Sequence, residues 1–278
     1  MPMNSINTNL GAMVALQALN RTNDELAGVQ KRISTGLRVT DAKDDGAAFA
    51  VAERIRGDMA ATTSANQQLG GVKGLLEVSR SSLENVSTSL IKLRELVVKL
   101  ADSSTAPEQR SQYQTQVKEL INNVKAFITD ADYNGRNLLE DPATLPVKVI
   151  SNGGGGFYTF NGYSALAGIY NQISGANAFT TQDAIDAMTP TGKVSTAITN
   201  TLTQLNNFGS YSNYIDTQIN FNKNILDAQE AGMGSLIDAD LAKESARLQA
   251  LQIRQQLGSQ ALGIANQAPQ TLLSLFKG

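Results

Sequence analysis

The feature that most constrains the fold is an unbroken heptad repeat of apolar residues in the first half of the chain. Between Leu69 and Leu100 the apolar positions follow alternating steps of three and four residues. This spacing averages 3.5 residues, the period of a left-handed coiled coil, and predicts a long helix with one apolar stripe. The stripe, in which only Ser79 is polar, consists of Leu69, Val72, Leu76, Ser79, Leu83, Val86, Leu90, Leu93, Val97 and Leu100.

Two other segments repeat the pattern, one in each half of the chain. The first contains Tyr113, Val117, Leu120, Val124, Phe127 and Ala131. The second contains Val194, Ile198, Thr201, Leu205, Phe208, Ser212, Ile215, Ile219, Asn222 and Leu226. Three separate amphipathic helices on a globular core are the alternative, but so regular a repeat favours helices that bury their stripes against each other. The predicted fold is mainly α, an elongated helical bundle or coiled coil formed by both chain halves.

A stretch of different composition separates the halves. Pro142, Pro146 and the run Gly153–Gly156 interrupt any helix, and Val147–Ile150 and Phe157–Phe160 are predicted to be two short strands joined by a glycine-rich turn. The prediction is a small β-hairpin excursion in the middle of the chain, the only plausible β element. Residues 151–164 are expected to form an exposed tip that tolerates insertion.

Both chain ends carry weaker heptad stripes that the predicted bundle leaves uncovered. The N-terminal stripe contains Leu16, Leu19, Leu26, Val29 and Ile33. The C-terminal stripe contains Ile237, Leu241, Leu248, Leu251, Leu262, Ala265, Leu272, Leu275 and Phe276. Burial of such side chains is favourable only where it outweighs the entropy lost on ordering the helices. We therefore expect an assembly interface, unfolded in the free subunit and helical when packed with other copies.

Composition excludes several kinds of chemistry. The chain has no Cys and no His, which removes thiolate and imidazole catalysis and Cys/His metal sites. A net charge of −2 gives no basic excess for nucleic acid. No nucleophile–base constellation is visible, so neither an enzyme nor a cofactor is expected. The acidic pairs Asp44–Asp45 and Asp238–Asp240 fit helix capping or pairing between chains better than acid–base catalysis.

One acidic segment comes close to a calcium loop. Asp130, Asp132, Asn134, Gly135 and Asp141 nearly match the spacing of oxygen ligands in an EF-hand. The twelfth position, however, is Asp in place of the bidentate Glu, and Pro142 prevents the exit helix. Asn134–Gly135 is equally a strong turn dipeptide before a strand, so the turn is the preferred interpretation and no metal site is predicted.

The remaining motifs point to neither nucleotides nor membranes. The run Gly153–Gly156 lacks the Lys-Ser/Thr that completes a phosphate-binding loop, which indicates a flexible turn. No segment approaches the length of a membrane span. Residues 5–37 lack the aromatic residues and the basic face of an interfacial helix, and the N-terminus lacks the features of a cleaved signal peptide.

Several motifs resemble one known family. SINTN at Ser5–Asn9, ISTGLRV at Ile33–Val39 and AKDDGAAFAVAERIR at Ala42–Arg56 resemble the N-terminal region of bacterial flagellin. DYNGRNLL at Asp132–Leu139 is similar to the segment that leads into the flagellin β-hairpin, and Ile237–Phe276 is similar to the C-terminal region. The short middle segment implies a flagellin without large outer domains.

The resemblance implies a structural subunit that polymerises into the extracellular flagellar filament for motility. Residues 1–44 with 234–278 would form the terminal coiled-coil domain of the filament's inner core, 45–140 with 186–233 the helical rod, and 141–185 its variable tip. Implied partners are further copies of the chain, an export chaperone at the C-terminal stripe, the hook-associated and cap proteins, and the flagellar type III export apparatus. Neither binding to nucleic acid nor insertion into a membrane is expected.

Two departures and one alternative accompany the resemblance. Ile91 and Lys92 precede Arg94–Glu95 where many flagellins carry a polar residue and Arg, which leaves detection by the vertebrate Toll-like receptor open. Phe208–Tyr214 replaces a segment that usually contains Asn-Arg. The alternative is the hook–filament junction protein of the same axial family, although that family tends to have Asp-Asp-Pro where this chain has Asp44–Asp45–Gly46.

Overall fold

The computed structural model describes residues 9–140 and 146–276, with the side chains of the last helix described as far as Gln267. The chain divides into two compact units. The terminal unit comprises Met1–Gly57 and Ala228–Gly278, and the middle unit comprises Asp58–Asp227. Each unit is described by itself below.

The described residues contain seven α-helices and four short strands. In chain order they are α1 (Leu10–Thr35), α2 (Gly46–Ala101), α3 (Pro107–Thr129), β1 (Asp132–Tyr133), β2 (Arg136–Asn137), β3 (Val147–Ile150), β4 (Phe157–Phe160), α4 (Asn171–Ile173), α5 (Thr181–Met188), α6 (Lys193–Ile237) and α7 (Leu241–Phe276). A π-helical turn at Leu166–Tyr170 and a 3-10 turn at Ala176–Ala178 flank α4. The mainly α fold with a small hairpin is confirmed.

Helix α2 buries the predicted stripe in the core of the middle unit. Nine of the ten predicted positions are buried, including the polar Ser79, and Val72 is half-buried against the same core. The buried residues are Leu69, Leu76, Ser79, Leu83, Val86, Leu90, Leu93, Val97 and Leu100. The continuous 3–4 spacing keeps these residues on one side of the helix, which is why a single phase could be assigned from the sequence.

The stripe predicted for α3 and Ala131 is correct at alternate positions and displaced by one residue at the others. Val117, Val124 and Ala131 are buried as expected, whereas Leu120 is half-buried and Phe127 is exposed. Their places in the core are taken by Ile121 and Ile128. Both sets keep a 3–4 spacing around Val117 and Val124, so the repeat alone did not distinguish the two faces.

Helix α6 buries every seventh residue of its stripe. Val194, Thr201, Phe208, Ile215 and Asn222 are all fully buried. The other predicted core residues, Ile198, Leu205 and Ile219, are half-buried against the same core. Two of the five fully buried positions are therefore polar.

The central hairpin has the predicted strands. β3 and β4 are antiparallel, with Val147 opposite Phe160 and Ile150 opposite Phe157. A second, smaller hairpin was not predicted. It joins β1 to β2 through Asn134–Gly135, where both residues have positive φ and Gly135 N donates to Asp132 Oδ1 at 3.0 Å.

The acidic segment around Asp132 forms a turn, which is the interpretation that the sequence favoured. The Asp132 carboxylate accepts a backbone hydrogen bond of that turn, and no group of three metal-ligating side chains occurs among the residues described. Asp141, the last member of the calcium-like pattern, lies outside the described residues.

Aromatic residues of β4 pack on α6. The rings of Tyr158 and Tyr214 stack with their centroids 3.9 Å apart, and Phe160 lies 5.2 Å from Tyr211. Tyr211 and Tyr214 belong to the segment in which the chain departs from the flagellin pattern. The hairpin is therefore held against α6 by residues at which this chain differs from the flagellin pattern.

The segment that follows β4 is more ordered than its sequence suggested. Ile169 in the π-helical turn and Ile173 in α4 are fully buried in the middle core. Helix α5 begins with a capping box, in which Thr180 and Asp183 exchange side-chain and backbone hydrogen bonds. The short helices escaped prediction because none is long enough to show a helical period.

Candidate assembly interface

The terminal unit contains an antiparallel pair of helices, α1 and α7. Asn9 at the start of α1 donates from Nδ2 to the Ala265 carbonyl oxygen at 2.7 Å, late in α7. Near the other end of the pair, Arg32 Nη1 lies 3.5 Å from Glu244 Oε1. We expected these ends to be unfolded without partner chains. The structure instead has both as helices in a single chain, because each covers part of the other's apolar stripe.

The helices approach each other closely where α7 has a glycine. A Cβ placed on Gly258 would lie 3.3 Å from Leu19 Cδ1, so this position suits a residue without a side chain. Gln255 Nε2 donates to Asn23 Oδ1 at 2.8 Å one turn away. These contacts fix which faces of α1 and α7 meet.

The predicted stripe residues divide into three groups. Val29 and Leu251 are each 2% exposed and form the best-covered part of the pair. Leu16 and Leu241 are exposed. The half-buried members are Leu19, Leu26, Ile33, Leu248, Leu262 and Ala265. The side chains of Leu272, Leu275 and Phe276 lie outside the described part of α7.

Ile237 occupies a different position from the rest of its predicted stripe. It is the last residue of α6, and it is buried in a small cluster with Val39 and Ala52. The break between α6 and α7 comes from Asp240, whose Oδ1 accepts from the backbone N–H groups of Ala242 and Lys243. Asp240 thus caps α7 as expected for an Asp at a helix start.

A short bridge between backbone segments holds this cluster together. Leu37 pairs with Asp238 in an antiparallel bridge, and Ala239 N donates to the Gly36 carbonyl oxygen at 2.9 Å. Gly36 has φ of 72°, a left-handed conformation that ends α1 and suits glycine. The ISTGLRV motif therefore turns the chain out of α1 and places Val39 in the cluster.

Carboxylates order the loop between α1 and α2. Lys31 Nζ lies 2.7 Å from Asp41 Oδ2, and this hydrogen bond lowers the pKa of Asp41. Asp44 accepts from Thr40 N and Oγ1, which lowers the pKa of Asp44. Asp45 Oδ1 accepts from the first backbone N–H groups of α2. These acids act as caps and turn acceptors.

The sequence analysis missed exposed apolar residues on the outer side of each helix of the pair. Six large aliphatic side chains of α1 and α7 beyond the predicted stripes are exposed, among them Leu10 at 71% and Ile264 at 69%. The others are Met13, Val14, Ile253 and Leu257. The 253–257–264 spacing on α7 marks a second stripe, which could have been found by searching for a second heptad phase.

Most of these exposed residues lie in stretches of the sequence that carry no charge. The chain has no Asp, Glu, Lys or Arg before Arg21, and none between Arg254 and Lys277. Antiparallel packing brings the two uncharged stretches to the same end of the pair, where Asn9 meets Ala265. Exposed aliphatic residues without surrounding charges are typical of surfaces that another protein covers.

Little in the described residues suggests catalysis or a membrane span. The pockets there are open grooves, such as the 290 Å³ one beside Asp183, Asp186 and Lys193, which contains no nucleophile–base pair. None of the described helices is long and apolar enough to cross a membrane. Long heptad helices with uncovered apolar faces define instead a structural protein that assembles through helix surfaces.

Comparison with known proteins identifies the family. The bacterial flagellin N-terminal helical region matches residues 6–144, and the bacterial flagellin C-terminal helical region matches residues 191–276. Flagellin FljK of Caulobacter vibrioides is 37% identical over 278 residues and covers 100% of both chains. A flagellin of Brucella melitensis is 35% identical over 284 residues, covering 99% of this chain and 100% of its own. The chain belongs to the bacterial flagellin family.

A solved structure shows the same fold at lower identity. A putative flagellar hook-associated protein from Vibrio parahaemolyticus has a TM-score of 0.59 and 16% identity, covering 70% of this chain and 100% of its own. At that identity the likeness concerns the fold alone. The two relatives described above span this chain almost completely and are flagellins, so the chain is a short flagellin, a structural subunit of the flagellar filament and not an enzyme.

Proposed function

We propose that the exposed apolar residues on the outer sides of α1 and α7 form the surfaces through which copies of this flagellin pack in the filament. The observation that supports this most directly is the coincidence of exposed aliphatic residues with the uncharged end of the helix pair. The stripe residues of the pair would complete the interface, including Leu16 and Leu241, which the partner helix leaves exposed.

The absence of charge suits association between identical chains. A filament repeats one contact many times, so a charge buried in it without a partner would cost several kcal/mol at every repeat. Aliphatic side chains carry no such penalty. Each of the exposed ones would contribute roughly 1 kcal/mol on burial, because part of its surface is already covered in the single chain.

The finer domain arrangement is part of the proposal. Residues 1–44 with 234–278 would form the inner core, 45–140 with 186–233 the rod, and 141–185 its tip. The separation of the chain into a terminal and a middle unit supports this arrangement. In the rod, the core would be formed by the α2, α3 and α6 stripes described above.

The α7 face also suits a partner before assembly. Ile253, Leu257 and Ile264 are exposed on one helix near the C-terminus, and such a stripe would favour aggregation if it stayed uncovered in the cell. We propose that an export chaperone covers it. The proposal also includes export through the flagellar type III apparatus without a cleaved signal peptide. It further includes contacts with the hook-associated and cap proteins at the filament ends.

The test uses a substitution that leaves the single chain intact. Ile264→Asp replaces a mostly exposed side chain with a carboxylate, so the helix content and the thermal midpoint of the monomer should stay unchanged. Seeded polymerisation of the full chain, followed by sedimentation and negative-stain microscopy, should give no filaments. Ile264→Val is the matched control and should polymerise at nearly the wild-type critical concentration.

The two variants separate assembly from folding. Filaments of Ile264→Asp at the wild-type critical concentration would show that this face remains in solvent in the filament, and would overturn the proposal. Loss of helix content in the Ile264→Asp monomer would also contradict it, because the exposed position predicts no effect on the single chain.

A further inference from the structure

Three polar residues occupy fully buried stripe positions in the middle unit: Ser79, Thr201 and Asn222. Among the described residues, two of them hydrogen-bond only within their own helix. Ser79 Oγ donates to the Leu75 carbonyl oxygen at 2.9 Å, and Thr201 Oγ1 donates to the Ala197 carbonyl oxygen at 2.8 Å. Such bonds to the preceding turn satisfy a buried hydroxyl without reaching another element.

Asn222 differs because it joins three elements of the middle unit. Its Nδ2 donates to Asn66 Oδ1 of α2 and to the carbonyl oxygen of Ser151 in the β3–β4 turn, both at 2.8 Å. Its Oδ1 accepts from Gln218 Nε2 of the same helix at 3.1 Å. Every polar atom of this amide therefore has a partner, and two of the partners lie outside α6.

The β3–β4 turn is seated on α2 at the same place. A Cβ placed on Gly153 would lie 2.5 Å from Thr62 Oγ1 and 2.9 Å from Thr62 N, a distance that requires something to move. Within the turn, Ser151 N donates to the Gly156 carbonyl oxygen at 2.8 Å. Part of the expected exposed tip is thus anchored, since Ser151 is buried while Gly153 to Gly155 remain exposed at the surface.

The hairpin needs such an anchor. A two-stranded hairpin of four residues per strand is marginally stable by itself in water. A buried amide is costly to leave unpaired, so it favours the one arrangement in which its partners are in reach. Polar residues at heptad positions are known to select register in this way, at some cost in stability.

We propose that Asn222 is a positioning residue, which fixes the place of the β3–β4 turn over α2 and α6. The surface that depends on this position is a cleft of about 690 Å³ between the hairpin and α2. The paired residues Ile150 and Phe157 line it and are exposed, and Lys148 Nζ lies 4.1 Å from the Phe157 ring centroid. Asn222 would therefore set the shape of an exposed, partly apolar surface of the subunit. This inference does not depend on the proposed terminal interface.

The experiment compares local with global stability in the full-length monomer. Asn222→Leu completes the apolar stripe and removes the donor to Ser151. We expect the thermal midpoint to stay within a few degrees of wild type or to rise, while the backbone amides of β3, β4 and their turn exchange with solvent about tenfold faster or more. An effect on core packing alone would lower the midpoint and would not single out the hairpin.

Thr201→Val is the matched control for Asn222→Leu. It removes a buried polar group from the same stripe of α6, but in the described part of the chain that group hydrogen-bonds to no other element. Hairpin exchange in Thr201→Val should equal that of the wild type. Equal acceleration in both variants, or full protection of the hairpin in Asn222→Leu, would overturn the proposal.

A second pair of variants approaches the turn from the other side. Gly153→Ala places a methyl group against Thr62 with Asn222 intact, whereas the Cβ of Gly154→Ala would make only an ordinary contact with Asn152. Gly153→Ala should accelerate hairpin exchange and Gly154→Ala should not. If Asn222→Leu fails to fold, this pair decides, and equal exchange in the two alanine variants would overturn the proposal.

Discussion

Arg32 of α1 and Glu244 of α7 form the ion pair that joins the terminal helices in the described residues, with Nη1 3.5 Å from Oε1. Glu244 is buried, and its Oε2 has no hydrogen-bond partner among the residues described. A buried carboxylate with one long contact depends on that contact for its compensation. The alignment of α1 on α7 therefore combines apolar packing with one charged contact that is sensitive to substitution.

Replacing Arg32 tests this dependence. Arg32→Met keeps most of the aliphatic side chain and removes the charge, so the stability of the helix pair should fall by about 1 kcal/mol. Hydrogen exchange of α1 and α7 in the monomer measures the loss. Arg21→Met on the same helix is the control, because Arg21 is exposed and has no ion pair within the described residues. Equal exchange in the two variants would show that the pair contributes nothing.

The buried face of a helix could be predicted from the sequence where the apolar repeat fitted only one face of that helix. In α2 the 3–4 repeat is unbroken over the middle unit, and each of the ten stripe residues lies in or against the core. In α3 two stripes satisfied the same repeat, and the core uses Ile121 and Ile128 in place of Phe127. The choice follows from the shape of the facing helices, which periodicity does not contain.

The terminal helices and the hairpin turn show what the sequence pattern omits. The outer stripe of α7 and the absence of charge around it were readable, but they gain meaning only from the antiparallel pairing that brings residues 9–20 beside residues 255–267. Asn222 appeared as a defect in a stripe. Its contacts with Asn66 and Ser151 bring together residues more than seventy positions apart, and no local pattern encodes them.

The stacked pair Tyr158 and Tyr214 should stabilise the middle unit. Tyr214→Leu removes a ring 3.9 Å from that of Tyr158, and an aromatic pair contributes about 0.5–1.5 kcal/mol beyond its buried area. Thermal unfolding should show a lower midpoint, with reduced near-ultraviolet circular dichroism.

Phe221→Leu is the control for the aromatic stack. Phe221 lies one heptad further along α6, is exposed, and has no ring contact within the described residues. It should change the midpoint little. A fall in midpoint as large as that of Tyr214→Leu would mean that loss of any aromatic residue from α6 has this effect, and that the stack is not special.

Two nearby glycines of α2 should respond to alanine in opposite directions. A Cβ on Gly71 meets nothing within 4 Å, so Gly71→Ala should raise stability by roughly 0.5–1 kcal/mol through helix propensity. A Cβ on Gly74 would lie 2.7 Å from Tyr133 Cζ, so Gly74→Ala must displace that ring and should lose part or all of the same gain. Denaturant unfolding of both variants measures the difference, and equal gains would show that Tyr133 moves aside without cost.

The loop between α1 and α2 should lose stability in acid, because hydrogen bonds from Thr40 lower the pKa of Asp44 in the folded chain. A lowered folded pKa gives stabilisation that is present above the ordinary carboxyl value of 3.8 and is lost as the pH falls through the folded value. Asp44→Asn keeps an oxygen acceptor but does not titrate. It should be less stable than wild type near neutral pH, and the difference should vanish at about pH 2. Thermal midpoints measured from about pH 7 to about pH 2 give the comparison.

Asp24→Asn is the control for Asp44→Asn. Asp24 is exposed and has no ion pair among the described residues, so its variant should show no such trend. A constant difference between Asp44→Asn and wild type across this range would mean that ionisation of Asp44 does not stabilise the loop.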